Sequence, residues 1–165
     1  MSVSTTTATH SHVANHLTDK MVLSLGNIIR DSGLNMQRFS DQRETYQTGI
    51  KAWIASGHLE KVVLEIYDPA TNKLLPPRWD FELSVDGKGE LGFSFDPNDI
   101  KYHLIKAGKP PATCNYSVII VNKPGRPVVT GWNPCEFRDT NGMKQFCLGT
   151  TISAGNSDVK TSYWK

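Results

Sequence analysis

The most informative segment of this chain is 125-GRPVVTGWNPCEFRDTNGMKQFCLGTTISAGNSDVKTSYWK-165. Turn residues recur throughout it, yet it also carries large apolar side chains, which a chain buries to offset the entropy lost on ordering. These are Trp132, Phe137, Met143, Phe146, Ile152, Tyr163 and Trp164. The segment is too broken to fold alone and too aromatic for a disordered tail. We expect it to wrap onto the rest of the molecule, with the Tyr163-Trp164 pair docked.

The residues before this stretch begin with two helical patterns. Apolar residues recur at helical spacing from about Val13 to Asp31, and Ser32-Gly33 ends that helix. A second helix is predicted to start near Ser40, a suitable N-cap, and to end at Gly57. Its predicted buried face consists of Tyr46, Ile50, Trp53 and Ile54. Residues 1–12 are polar and rich in Ser and Thr, and we expect them to be mobile.

Strand patterns follow the helices. Residues 59–68 and 74–85 read as strands, and alternation in the second places Trp79 and Phe81 on a buried face. Residues 86–89 turn the chain and residues 91–95 alternate again, which together predict a three-stranded antiparallel meander. Pro76-Pro77 indicates a sheet edge or a bulge.

One more helix and one more strand precede the closing stretch. Asp96-Pro97 is a strong helix start and Gly108 a helix end, and Tyr116–Val121 reads as a strand. The predicted fold class is therefore α+β, with helices packed on a mostly antiparallel sheet.

Composition excludes several classes of protein. The chain of 165 residues fits one domain, and its net charge of +2, with no run of basic residues, argues against direct nucleic-acid binding. Its apolar runs are too short to span a membrane, and its first residues lack the pattern of a secretory signal. Three cysteines without close pairing fit a reducing cytoplasm.

Three clusters of polar residues are candidates for chemical sites. His10, His12 and His16 could gather around a metal ion, but fixed-spacing partners are absent and surface histidines are the better interpretation. Cys135 and Cys147 could face each other on a hairpin, although buried free thiols are favoured. The carboxylates of Asp80, Glu82 and Asp86 alternate on one strand face. They could perform acid–base chemistry, but a solvated face is favoured.

Motifs of activated nucleophiles, phosphate loops and dinucleotide sites do not occur in the sequence. The residues therefore favour an interaction protein with no cofactor over an enzyme. The closing stretch leaves two alternatives open. It is either a movable segment or a fixed extension of the sheet made of two further strands and a plug.

Several strings resemble a bacterial HORMA-domain protein, and the likeness covers almost the whole chain after about residue 10. The strings are 17-LTDKMVLSLGNIIRDSGL-34, 59-LEKVVLEIYDP-69, 78-RWDF-81, 123-KPGRP-127 and 161-TSYWK-165. The resemblance implies a mobile segment 1–12 and a single HORMA domain over residues 13–165. That domain would have a core at 13–124 and a mobile C-terminal "safety belt" at 125–165.

The resemblance also implies a function and partners. Such proteins add a short peptide, the closure motif, to their sheet as a strand and close the belt over it. A hexameric AAA+ ATPase of the Pch/TRIP type would reopen the belt by pulling on Ser2, Thr5, Thr7 and His10 in the leading segment. The closed complex would activate a cyclic-oligonucleotide synthase, a CD-NTase, in an anti-phage operon of the CBASS type.

The resemblance assigns roles to residues only coarsely. Tyr116, Val118 and Ile120 would lie beside the bound peptide, and glycines able to absorb backbone changes would serve as belt hinges. The implied hinges are Gly125, Gly131 and Gly149. The implied belt anchors are Trp132, Phe137, Phe146, Tyr163 and Trp164.

Overall fold

The computed structural model describes residues 2–85 and 93–165, with side chains from residue 11 onward. In these residues three helices pack on a six-stranded sheet. The helices are α1 (Ser2–Asp31), α2 (Met36–Ala55) and α3 (Pro97–Ala107). The strands are β1 (Leu59–Tyr67), β2 (Leu74–Val85), β3 (Phe93–Phe95), β4 (Asn115–Asn122), β5 (Gln145–Ala154) and β6 (Ser157–Trp164).

Helix α1 contributes the centre of the core. Leu17, Met21, Leu25 and Ile28 are fully buried, as their helical spacing predicts. The helix ends where the sequence predicts but begins at Ser2 instead of near Val13. The predicted mobility of residues 1–12 stays a prediction.

Helix α2 begins earlier than predicted because a different residue caps it. The side-chain oxygen of Asn35 accepts hydrogen bonds from the backbone amides of Gln37 (2.9 Å) and Arg38 (3.4 Å). Ser40, the predicted cap, therefore lies inside the helix. The start of α3 is confirmed, since the Asp96 carboxylate accepts from the amides of Asn98 and Asp99.

The strands are ordered β3-β5-β6-β2-β1-β4, and all the paired strands run antiparallel. This confirms the predicted α+β class. The register between β1 and β2 shifts between Leu64 and Ile66, opposite the Pro76-Pro77 pair, so the predicted bulge is present. Strands β6 and β2 pair over eight positions, from Arg78↔Trp164 to Val85↔Ser157.

The predicted three-stranded meander is wrong. Strand β3 pairs with β5, from Phe93↔Ala154 to Phe95↔Ile152, and β6 takes the place beside β2. Alternation within one strand reveals which face is buried but carries no information about which strand lies beside it. The predicted turn at residues 86–89 and the first part of the predicted third strand lie outside the described residues.

The carboxylate face of β2 is not uniformly solvated, because the closing stretch covers part of it. Asp80 is 2 % exposed and accepts two hydrogen bonds from Arg78, at 2.9 and 3.1 Å. The indole Nε1 of Trp164 also donates to Asp80, at 3.2 Å. Asp80 is therefore a structural ion-pair partner, while Glu82 is exposed and Asp86 lies outside the described residues.

The cysteines and histidines also differ from expectation. All three thiols are free, but Cys135 and Cys147 are exposed instead of buried, and only Cys114 is buried. His16 is hydrogen-bonded to the carbonyl of Ser94, at 3.1 Å. Among the described residues no cluster of side chains is suited to hold a metal ion. None of the described helices combines the length and apolar character needed to cross a membrane.

Candidate functional site

Strand β4 forms one edge of the sheet. One side of it pairs with β1 from Asn122 to Asn115, and within the described ranges no strand pairs with the other side. An edge strand presents a row of backbone amide and carbonyl groups that can pair with a further strand. Eight residues at the usual rise span about 25 Å, which is enough for six or seven paired residues of another chain.

An irregular segment passes around this edge. Residues 123–144, which we term the crossing segment, join β4 to β5 and contain neither helix nor strand. The segment contacts α2 at Pro127, on the helix side of β4, and contacts Glu65 at Arg138, on the opposite face of the sheet. It therefore encloses the edge instead of covering it as a strand.

Two tryptophans hold the crossing segment to α2. The Nε1 of Trp53 donates to the carbonyl of Pro127 (2.8 Å), and the Nε1 of Trp132 donates to the carbonyl of Thr45 (3.1 Å). The rings of Trp132 and Trp53 meet edge to face with centroids 5.3 Å apart. Gly49 makes room for this contact, because a Cβ at that position would lie 2.2 Å from Trp132 Nε1. We term this contact the tryptophan anchor.

An ion pair holds the same segment to the opposite face of the sheet. Arg138 Nη1 lies 2.7 Å from Glu65 Oε1, and the Arg138 backbone amide donates to the other carboxylate oxygen at 2.9 Å. The guanidinium also donates to the Asn72 side-chain oxygen and stacks 3.6 Å above the Tyr67 ring. The Glu65 side chain is completely buried. We term this contact the arginine latch.

Between the two anchors lie two cavities that share a wall. Their volumes are about 840 Å³ and about 460 Å³, within the range of ligand pockets. Val118, Ile119, Trp132 and Phe137 line both cavities, so the two form one channel between β4 and the crossing segment. The channel combines unpaired backbone groups with apolar walls and can accept an extended chain as an added strand.

Four of the eight side chains predicted to contact or enclose a peptide line the channel, and a fifth, Tyr116, is buried beside it. The four are Val118, Ile120, Trp132 and Phe137, and the Tyr116 hydroxyl donates to the Asn35 carbonyl just inside the helix side. Phe146, Tyr163 and Trp164 lie instead in β5 and β6, beyond β1 and β2 from the channel. There Phe146 stacks on Tyr163 with centroids 5.2 Å apart.

The three predicted hinge glycines all have positive φ, at 83° for Gly125, 92° for Gly131 and 96° for Gly149. Gly125 and Gly131 lie in the crossing segment, next to the end of β4 and next to Trp132. Gly149 lies within β5, where the pairing with β6 shifts register. The hinge role stays a prediction. So does the role of Ser2, Thr5, Thr7 and His10, because side chains before residue 11 are not described.

Sequence reasoning missed the arginine latch and the role of Gly49. Glu65 is a lone charge within the apolar strand string 62-VVLEIY-67, and this is the signal that could have revealed a buried ion pair. The sequence holds no comparable sign of its partner. Arg138 is 73 positions away and lies in a segment with no periodic pattern.

Alkaline pH is expected to weaken the helix side of the channel. Burial raises the pKa of Tyr46 to about 12 and raises that of Tyr116 as well. Because the folded state keeps these protons above their ordinary pKa, stability present below pH 10 is lost as the pH rises toward 12. Urea unfolding at pH 8, 10 and 11 measures the decline.

The Tyr46→Phe variant should show a shallower decline than the native chain. Tyr102→Phe, on the exposed face of α3, is the matched control and should leave the decline unchanged. Equal slopes for all three proteins would contradict the assignment to Tyr46.

The comparison with protein families matches the whole chain, residues 1–165, to the family described as Bacterial HORMA domain 2. No curated protein matches the sequence. The chain is also similar to solved structures, including one from the Mitotic Checkpoint Complex. That chain has 12 % identity and a TM-score of 0.71, with 92 % of this chain and 97 % of the other covered.

Two further structures describe complexes. One is the E. coli MS115-1 HORMA:CdnC:Trip13 complex, at 13 % identity and a TM-score of 0.60, covering 92 % of this chain and 87 % of the other. The second is C. elegans HTP-2 bound to the HIM-3 closure motif, at 10 % identity and a TM-score of 0.60, covering 78 % and 69 %. At these identities the likeness to solved structures is one of fold alone.

Proposed function

The chain belongs to the Bacterial HORMA domain 2 family, and on that premise we propose that it is a peptide-binding signalling adaptor. It captures a closure-motif peptide as a strand added to β4, with the crossing segment serving as the safety belt. The bound complex activates a cyclic-oligonucleotide synthase, and an AAA+ remodeller resets it. In this role the chain has no catalysis of its own and reports infection in antiviral defence.

One observation carries the proposal. The unpaired edge of β4 is enclosed by a segment that is anchored on both faces of the sheet, at Trp132 and at Arg138. A groove that only docked a peptide would need side chains on one face of the strand edge, whereas this segment is fastened on both faces. A closed loop around a strand edge retains a threaded chain until an anchor breaks, so peptide dissociation should be slow.

Contacts of the peptide inside the closed channel must drive the switch. A peptide must favour the closed state by about 5.5 kcal/mol to move an equilibrium from 1:99 to 99:1. Burial of an aromatic side chain contributes about 1.5–3 kcal/mol. Two or three large apolar side chains of the peptide buried in the channel would therefore supply the required preference. The two anchors form in the closed belt with or without peptide and do not contribute to it.

The proposed partners are supported by the complexes of fold neighbours. One contains a HORMA protein with CdnC and Trip13, and another contains a HORMA-family protein bound to a closure motif. For this chain we propose a CD-NTase as the enzyme activated and a Pch/TRIP-type AAA+ ATPase as the remodeller.

The position of α1 suggests how a remodeller could open the belt. The proposed handle, Ser2, Thr5, Thr7 and His10, lies in the first turns of a helix whose later residues, Leu17 and Met21, are fully buried. Pulling on this end would remove α1 from its packing against α2 and the sheet. Helix α2 carries the tryptophan anchor, so the belt would lose its support on that side.

The proposal predicts that cutting the belt releases the peptide. A seven-residue random peptide library is selected on the intact protein, and dissociation of the enriched peptide is followed by fluorescence. A protease site inserted at Val128, which is 90 % exposed, then allows the belt to be cut after binding. Dissociation of the peptide should become about a hundredfold faster. This corresponds to a loss of about 2.8 kcal/mol in retention, at 1.4 kcal/mol for each factor of ten.

The control carries the same protease site at Ala112, an exposed residue between α3 and β4 that lies outside the crossing segment. Cutting there should leave retention unchanged. If no peptide is enriched, or if both cuts act alike, peptide capture under a belt is wrong.

A second candidate is an interaction domain with a fixed C-terminal hairpin and no switching. The pairing of β6 with β2 over eight positions and the complete burial of Val159 favour it for residues 145–164. This candidate predicts that the crossing segment resists proteolysis to the same degree with and without peptide, whereas a belt should become protected when peptide binds.

A further inference from the structure

The charges along the channel are distributed unevenly between its two ends. The smaller cavity, at the end of β4, is lined by Lys123 and Arg126 and by no carboxylate. The larger cavity, near the start of β4, is lined by Arg38 and Glu136 and by the paired Arg138. The end of the channel at the smaller cavity is therefore positively charged. At the other end the charges of Arg38 and Glu136 have opposite signs and cancel.

Arg126 is held in place for contact with a ligand. Its guanidinium lies 5.3 Å from the Trp53 ring centroid, and the Trp53 indole donates to the carbonyl of the next residue, Pro127. The side chain is half-buried, and no carboxylate in residues 11–85 or 93–165 forms an ion pair with it. A stacked, partly desolvated guanidinium without a partner favours a carboxylate or another planar anion.

Lys123 adds a second cation at the same end. Its backbone amide donates to the His58 carbonyl at 2.7 Å, which extends the pairing of β4 with β1 by one residue. The exposed ammonium forms no ion pair within the described part of the chain. Lys123 and Arg126 therefore both lie within four residues of Asn122, where β4 ends.

The middle of the channel has the opposite character. Val118, Ile119 and Phe137 line both cavities, and Trp132 closes the helix side. A bound strand alternates its side chains between the two faces. Apolar residues of the ligand would therefore contact Val118 and Trp132 on one face and Ile119 and Phe137 on the other.

From this arrangement we infer that the channel selects a peptide with an apolar centre and an Asp or Glu at one end only. The carboxylate meets Arg126 and Lys123 where β4 ends. The inference rests on the proposed peptide capture and adds its specificity. It also sets the direction of the peptide along β4, because only one end of the channel attracts an anion.

The contact with Arg126 has a consequence for the switch. Arg126 belongs to the crossing segment, so a carboxylate that pairs with it binds the closed belt and not the open one. A ligand that contacts only one of two states shifts the equilibrium toward that state. The acidic residue should therefore act mainly by slowing dissociation of the peptide.

The test is a selection of a seven-residue random library, amidated at the C-terminus, on the native chain and on Arg126→Glu. The native chain should enrich Asp or Glu at one peptide position, and Arg126→Glu should enrich Lys or Arg at that position. For the native chain, replacing the enriched acid by its amide should speed dissociation about ten- to a hundredfold, as expected for a hydrogen bond between charged groups. The effect should shrink in 1 M salt, where the Debye length is about 3 Å.

Arg43→Glu is the matched control, because Arg43 is exposed on α2 and lines neither cavity. This variant should enrich the same acidic position as the native chain. Enrichment of apolar peptides without an acidic position would overturn this inference and leave peptide capture intact. Free-acid peptides that bind without an internal Asp or Glu would assign the site to a terminal carboxylate and overturn it as well. Enrichment of no peptide would remove the proposed function itself.

Discussion

Replacing Arg138 by methionine is expected to release the crossing segment from the outer face of the sheet. The buried carboxylate of Glu65 would lose both the guanidinium at 2.7 Å and the geometry that brings the Arg138 amide to it. Removing one partner of a buried ion pair costs about 3–5 kcal/mol, since the remaining charge stays buried and unpaired. We expect the lower end of that range, about 3 kcal/mol, because Arg138 keeps partial contact with solvent.

Two measurements check this result. Urea unfolding followed by tryptophan fluorescence gives the free energy of unfolding, and limited proteolysis reports whether residues 123–144 have become accessible. The peptide selected on the native chain should dissociate faster from Arg138→Met. Faster dissociation is expected even though Arg138 lies on the face of the sheet opposite the tryptophan anchor.

Arg38→Met makes the same replacement at an arginine that contacts the Tyr116 ring but forms no ion pair among the described residues. It should change the free energy of unfolding by about 1–2 kcal/mol, because the cation–π contact is partly desolvated, and so by less than Arg138→Met. The double variant Glu65→Leu with Arg138→Met removes both charges and should recover most of the lost stability. A latch variant that keeps native stability and native peptide retention would show that Arg138 does not fasten the belt.

Placing an alanine at Gly49 is expected to expel Trp132 from its site on α2. The new Cβ would lie 2.2 Å from Trp132 Nε1 and 2.6 Å from Trp132 Cε2, which leaves no room for the indole. Helix α2 itself should benefit, because alanine is favoured over glycine in a helix by about 1 kcal/mol. The variant should therefore fold with a native core but close its belt poorly.

Trp132→Ala removes the other partner of the same contact, the side chain on the crossing segment. It removes the ring contacts with Trp53 and Tyr46 and the hydrogen bond to the Thr45 carbonyl. Truncating a buried tryptophan costs about 3–5 kcal/mol, and we expect about 3 kcal/mol here because the ring is half-buried. Peptide retention should fall in both single variants.

The double variant Gly49→Ala with Trp132→Ala completes a thermodynamic cycle. Once the indole is absent, alanine at position 49 meets no obstacle and should be neutral or stabilising by up to about 1 kcal/mol. Strong non-additivity is thus the expected outcome. If the two single effects simply add, Gly49 and Trp132 do not meet in solution and the tryptophan anchor is wrong.

Much of the core could be predicted from the sequence because its signals are local. The four buried residues of α1 recur at helical spacing, and the Asp96-Pro97 start of α3 depends on neighbours within one turn. Strand β4 is also predicted as a strand, since its apolar residues are continuous along the chain, whereas its position at the edge of the sheet comes from the structure. These features depend on backbone geometry and on the burial of one face of each element. A short segment of sequence is enough to reveal both.

The sequence alone therefore predicts the three helices and strands β1, β2 and β4, and its strings resemble the family to which the chain belongs. It leaves open whether residues 145–164 form strands, and which strands are neighbours is evident only from the three-dimensional structure. Strand β3 pairs with β5, and Asp80 is buried beneath the closing stretch instead of solvated. Arg138 reaches Glu65 across 73 positions, while Gly49 accommodates Trp132. These contacts join residues that are distant along the chain, so no local period encodes them. The last two, at Arg138 and at Gly49, are also the contacts that enclose the channel.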